Sequence, residues 1–240
     1  MLDPAWALDA IYAVFQRDKC YRQLQEMHGR FTRPILANLV WQDYSLAEQR
    51  LFLSMMISCG ICFPHRAGTG LDDDTAEYIA PDLLCEQDVV QAELESSWNI
   101  NQAGEQETFT YTLLPPSLLR SLIARIGRAA GVKAIYWRNG VCVYETSMRT
   151  LAVITQEQVV NWGGAIRIHT QGSGAANLLN RLTEWVEEEH ANAGLDPNDV
   201  ARSSPKAINR DDDPIAAMLA QALLKQPPLV FGALPVLLRN

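Results

Sequence analysis

The sequence lacks the features that usually mark membrane, secreted and nucleic-acid-binding proteins. No apolar run approaches the ~20 residues that a membrane-spanning helix needs, and Asp3 stands where a signal peptide would carry positive charge. Acidic residues outnumber basic ones, 28 to 20, so the chain has a net charge of -8 and no general attraction to phosphate backbones. We therefore expect a cytoplasmic protein that binds neither membranes nor nucleic acid.

Motifs of common enzymes are also missing from the sequence. It contains no G-x-x-x-x-G-K-[ST] phosphate loop, no G-x-S-x-G nucleophile elbow and no H-E-x-x-H zinc motif. The turn at residues 171–177 carries G-x-G between a predicted strand and a predicted helix, where glycines are more often structural. The four histidines fall on different predicted elements. We therefore predict no catalytic residue and no bound cofactor.

Cysteine is scarce, and the five residues are dispersed, which favours reduced thiols over disulfides. Cys59 and Cys62 nevertheless form a C-x-x-C pair. A redox pair of this kind sits at a helix N-terminus, whereas this one follows the helix predicted from Ser45 to Gly60, whose negative end disfavours thiolate. We expect Cys62 to pack as a buried apolar residue at the start of a strand, and Cys59 to be less constrained.

A zinc site is the alternative interpretation of the same stretch. Cys59, Cys62 and His65 could supply three ligands, with Cys85 or His28 as the fourth. A structural zinc site usually shows a second closely spaced pair, and Cys85 stands alone. We therefore predict no metal, and keep these residues as zinc candidates.

Residues 1–90 carry the pattern of a small helical domain. Helices are predicted from Pro4, over about 34–42, and from Ser45, where Glu48 completes a capping box. These three helices precede residue 61, and a polar loop and a short two-stranded element follow. The outline resembles a winged helix.

Residues 91–107 are polar and acid-rich, which is typical of a linker or long loop. From 108 to 194, alternating strands and two apolar-faced helices follow in the order β-α-β-β-β-β-α. The whole pattern predicts an α+β fold, with a helical winged-helix-like N-terminal half followed by a mostly antiparallel sheet with flanking helices. Residues 195–240 read as a linker and an apolar tail broken by prolines, which we expect to dock on the protein itself or on a partner.

A hairpin is predicted around residues 137–140. Asn139-Gly140 is a strong turn signal between "KAIYW" and "VCVYE", because both residues accept positive φ. We expect Trp137, Arg138, Asn139 and Gly140 to build this hairpin or an interface, and not to bind a small ligand.

Five segments, taken in order, resemble the COR (C-terminal of Roc) domain of Roco-family proteins. They are "LDPAWALDAIYAVF", "LFLSMMISCGICF" before "YIAPDLL", "FTYTLLPPSLLRSLIARI", "WRNGVCVYE", and an alternating strand with a long final helix. Together they cover about residues 2–192. The resemblance implies a COR-A-like half at 1–90 and a COR-B-like half at 108–194.

The resemblance also implies a function. COR domains follow a Ras-like GTPase domain, Roc, and are implicated in dimerisation, so we expect a non-catalytic scaffold with Roc and a second copy as partners. No Ras-like domain is encoded here; we expect it upstream in a longer protein, of which this chain is a fragment, or in a partner. The alternatives are a winged-helix regulator that binds nucleic acid and a small redox or zinc protein built on Cys59 and Cys62.

Overall fold

The computed structural model describes residues 4–16, 18–65, 70–97, 104–130, 133–145, 149–158 and 162–204. The elements of the first half are α1 Pro4–Gln16, α2 Asp18–Glu26, β1 Arg30–Thr32, α3 Arg33–Leu39, α4 Leu46–Ser58, β2 Phe63–Pro64, β3 Glu77–Ile79 and a short 3-10 helix, Pro81–Leu83. The three strands form an antiparallel sheet in the order β1-β3-β2.

The caps predicted for α4 are present. Ser45 and Glu48 form the capping box, with the Ser45 amide donating to Glu48 Oε2 at 2.7 Å. Gly60 follows the helix with φ +69°, and the Ile61 amide donates to the Met56 carbonyl at 2.9 Å, so the chain turns away at the predicted glycine.

Two elements of the first half were not predicted. α2 adds a fourth helix before residue 61, and it buries only Cys20 and Leu24, which is too sparse an apolar pattern to indicate a helix. β1 gives no clear strand pattern in the sequence, because it is three residues long and buries only Phe31.

The second half contains β4 Gly104–Tyr111, α6 Pro116–Ala130, β5 Ala134–Trp137, β6 Gly140–Glu145, β7 Thr150–Gln158, β8 Gly164–Gln171, α7 Ala175–Asn192 and β9 Val200–Ser203. Its six strands form one sheet in the order β5-β6-β7-β8-β4-β9, and every pair is antiparallel. The predicted α+β fold class and the order β-α-β-β-β-β-α are confirmed. The added strand β9 lies in the segment predicted as linker, and the tail from residue 205 lies outside the described residues.

The linker prediction for residues 91–107 is wrong where the structure describes them. α5 spans Gln87–Ser97, and β4 already begins at Gly104. α5 is mostly polar, and only Leu94 is fully buried with Val90 partly buried beside it. These two residues are four apart and pack on the sheet. An apolar helix face of only two residues is too narrow to be recognised in the sequence.

The core lies on both faces of the larger sheet. α6 and α7 cover one face and bury a large cluster that includes Leu122, Ile154 and Ile166. α5 covers part of the other face through Leu94, which contacts a smaller cluster around Trp137. Among the described residues, no helix combines the length and apolar character needed to cross a membrane.

Candidate functional site

The two cysteines of the C-x-x-C pair lie in opposite environments. Cys59 is the exposed C-cap of α4, whereas Cys62 is fully buried just before β2. Burial raises the pKa of the Cys62 thiol far above its ordinary value. A buried thiol held in its neutral form is a poor nucleophile, so the geometry agrees with packing of Cys62 and not with thiol catalysis.

The zinc candidates are not assembled into a site. His65 is buried, Cys85 is half-buried, and His28 lies in a left-handed turn after α2 with φ +53°. Within the described ranges, no group of three or more histidine, cysteine or carboxylate side chains could hold a metal ion. Cys59, Cys62, His65 and Cys85 therefore do not converge.

The predicted hairpin is present, but its turn is shifted by one residue. Trp137 pairs with Gly140 across β5 and β6, so the two turn residues are Arg138 and Asn139. Neither Asn139 nor Gly140 has positive φ, so the reason given for the turn from sequence is wrong. Gly140 is required instead by close approach, because a Cβ there would overlap the Trp137 indole and the Ile154 carbonyl oxygen.

Each hairpin residue has a structural contact. The Trp137 side chain is 1% exposed and packs beneath α5. The carbonyl of Asn139 accepts from the Gln156 amide at 2.8 Å. The Arg138 amide donates to the Cys85 carbonyl at 2.8 Å, and its guanidinium pairs with Glu86. The turn therefore reaches back to the segment that leaves the first half.

The two halves meet in an apolar contact that sequence reasoning missed. Phe63 and Ile79 of the small sheet belong to the same buried cluster as Leu122 of α6. The Phe63 ring packs against Gly127 so closely that a Cβ on Gly127 would overlap it. The Phe63 and Tyr136 rings lie 5.3 Å apart between centroids. We call this contact, formed by Phe63, Gly127 and Tyr136, the junction.

Ion pairs flank the junction. Arg120 of α6 binds Asp82 of the 3-10 helix at 2.5 Å, and Arg138 binds Glu86. These pairs are partly exposed, so each contributes at most about 1 kcal/mol to stability, and their main effect is to fix the orientation of the two halves.

One feature of the sequence could have indicated the junction. Gly127 lies inside a helix, where glycine costs about 1 kcal/mol of stability relative to alanine, so its presence suggests a close contact at that position.

The junction is a closely packed and uncharged contact between the halves. Burial raises the pKa of Tyr136 far above its ordinary value, so its hydroxyl stays protonated and uncharged. Close-packed interiors are hardly compressible, so Phe63 cannot shift without changing its contacts with α6 and β5.

Comparison with known protein families gives a match in the first half. Residues 1–84 match the family model described as C-terminal of Roc, COR-A domain. No curated protein matches the chain. The matched segment runs from α1 through the 3-10 helix and ends beside the junction. The resemblance predicted from sequence is thereby confirmed for the first half: residues 1–84 are similar to the COR-A domain of Roco proteins.

Proposed function

We propose that the chain is a non-catalytic dimerisation and scaffold module of a Roco-type GTPase protein. In this proposal the first half contacts the Ras-like Roc domain, and the second half contributes to a self-interface. The observation that carries it is the COR-A match over residues 1–84, on a half that shares a buried cluster with the second half.

The junction supports the coupling role. A movement imposed on the first half by its GTPase would reach α6 through Phe63 and the β5–β6 hairpin through Arg138. The predicted division into units at 1–90 and 108–194 stays part of this proposal, with the junction as the contact between them.

An exposed apolar pair on the second half supports self-association. Trp162 is 74% exposed and Leu113 is 58% exposed. The Leu114 amide donates to the Trp162 carbonyl at 2.9 Å, so the two exposed residues belong to neighbouring backbone segments. Exposed tryptophan is enriched at the centres of protein interfaces.

Light scattering tests the dimerisation claim. The molar mass should be that of a dimer when the chain is joined to its GTPase domain, and Trp162→Ser should shift it towards the monomer. Leu51→Ser is the matched control, because Leu51 is an exposed leucine on α4 in the first half. A strict monomer, both alone and joined to the GTPase domain, would overturn the proposal.

The nucleic-acid alternative has weaker support. The strand order β1-β3-β2, with α4 before β2, is compatible with the winged-helix comparison. However, α4 carries a single arginine, Arg50, whose guanidinium already pairs with Asp72 at 3.0 Å. Duplex binding that weakens steeply as salt rises would favour this alternative over the scaffold.

A further inference from the structure

A groove of about 390 Å³ opens between α6, α7 and β6. Its floor is apolar and includes Ile126, Val143 and Leu182, and Trp185 forms one wall. The Trp185 side chain is partly exposed there and packs on the core beneath α6 and α7. A groove of this size and lining suits a few apolar side chains presented together, as on one face of a helix.

The charges of the groove favour an acidic occupant. Lys133 and Arg181 line it together with one carboxylate, Glu145, which binds Arg181 at 3.1 Å. The Arg125 and Arg181 guanidinium carbons lie 5.1 Å and 5.9 Å from the centroid of the Trp185 ring. Arg125 is already paired with Glu188 and Glu189, so the charged residues that line the groove, Lys133, Arg181 and Glu145, carry a net charge of +1, in a chain whose net charge is -8.

One segment of the same chain has the matching chemistry. Residues 211–213 are three consecutive aspartates, and residues 215–225 follow with the apolar sequence "IAAMLAQALLK". The sequence predicts a short helix there, with an acidic cluster directly before it. Apolar residues would meet the floor of the groove, and the aspartates would meet Lys133 and Arg181 at its edge.

The connection is long enough. The described chain ends at Ser204, next to β9, and the sheet order places β6 four strand positions from β9. At about 4.8 Å a strand, this separation is about 19 Å. Residues 205–214 can span up to ~33 Å when extended, so the segment reaches the groove without strain.

We propose that residues 211–225 dock in this groove of their own chain. The segment covers apolar surface between α6 and α7 that would otherwise face water. This inference is independent of the COR-A match and of the proposed dimer, because it concerns a different surface of the second half from Trp162.

Site-specific photo-crosslinking of the full chain tests the proposal. A benzophenone amino acid replaces Trp185, whose side chain lines the groove, and mass spectrometry locates the crosslinked peptide. We expect crosslinks to residues 211–225. A mixture of isotope-labelled and unlabelled chains distinguishes crosslinks within one chain from crosslinks between two chains. The same probe at Leu51 on α4 is the control and should give no crosslink to this segment.

The other outcomes overturn the proposal in distinct ways. Crosslinks between labelled and unlabelled chains would assign the groove to a second copy. Crosslinks only to residues 226–240 would assign another segment, and the lack of any crosslink to residues 205–240 would leave a different molecule as the occupant.

Two substitutions give an independent readout. Ala129→Trp should fill the groove and lower the crosslink yield several-fold, whereas Ala47→Trp, on the exposed face of α4, should not change it. Lys133→Glu should also lower the yield, and replacing the three aspartates by lysine in that variant should restore it. If neither Ala129→Trp nor Lys133→Glu changes the crosslink yield, the proposal fails.

Discussion

Cys59 and Cys62 show how strongly the cost of a substitution depends on burial. Cys59→Ser should change the free energy of unfolding by less than about 0.5 kcal/mol, because the side chain is exposed. Cys62→Ser places a hydroxyl in a fully buried apolar site and should cost about 1–3 kcal/mol. Urea unfolding of the two variants measures this difference, and equal losses at both positions would contradict the packing of Cys62.

His190 should give the protein a pH-dependent stability. Its Nε2 lies 2.7 Å from the Tyr111 hydroxyl, and burial lowers its pKa below the ordinary 6.5, although Glu187 partly opposes this. The unfolded chain therefore binds a proton at higher pH than the folded chain does. The resulting loss of stability is absent well above pH 6.5 and grows as the pH falls through and below that value.

The His190 effect is measured by urea unfolding at pH 8 and pH 5. The wild type should lose more stability between these two values than His190→Gln does, because the variant cannot bind this proton. The same loss in both proteins would show that His190 is not protonated differently in the folded and unfolded states.

At the scale of elements, β9 depends on a buried carboxylate. Glu107 of β4 is 3% exposed; its carboxylate pairs with Arg202 of β9 and accepts a hydrogen bond from the Ser204 hydroxyl at 2.5 Å. Arg202→Met leaves Glu107 buried without its cation, which should cost about 1–3 kcal/mol. Hydrogen exchange should rise at residues 200–203, which form the edge strand.

A matched control for β9 lies on the same sheet. Arg167 pairs with Glu157 at 3.0 Å, and both side chains are partly exposed. Arg167→Met should therefore change stability by less than about 1 kcal/mol and leave exchange in β9 unaltered. If Arg202→Met behaves like Arg167→Met, the Glu107 contact does not hold β9 in place.

Elements with strong local signals could be predicted from the sequence. The capping box of α4, its closing Gly60 and the alternating strands β5 to β8 depend on neighbouring residues, and they appear as expected. α5 and β9 could not be recognised, because each is held mainly by distant partners, Trp137 for α5 and Glu107 for β9. Local patterns carry no information about such contacts.

The candidate site shows the same limit. The sequence predicts the hairpin at residues 137–140 and its glycine, but it places the turn one residue too late. The cause is that a glycine required by close approach to the Trp137 ring cannot be distinguished, in sequence, from a glycine required by positive φ. The junction joins Phe63 to Gly127 across the two halves, and only the fold brings these residues together.

At the scale of the whole molecule, the junction makes the two halves depend on each other. Phe63 is fully buried among residues of both halves. Phe63→Ala should therefore cost about 3–5 kcal/mol and weaken both halves, although the residue belongs to the first. Leu51→Ala, at an exposed position of α4, should cost less than about 1 kcal/mol in the same urea unfolding experiment.

The central claim is that the half that matches the COR-A model and the following sheet form one cooperative unit, as the proposed coupling requires. Fluorine NMR of fluorotryptophan-labelled protein tests it, because Trp41 is buried in the first half and Trp185 packs on the core of the second. During urea unfolding, both resonances should change with one midpoint, and Phe63→Ala should lower that midpoint for both together. Two separate midpoints in the wild type would contradict the account.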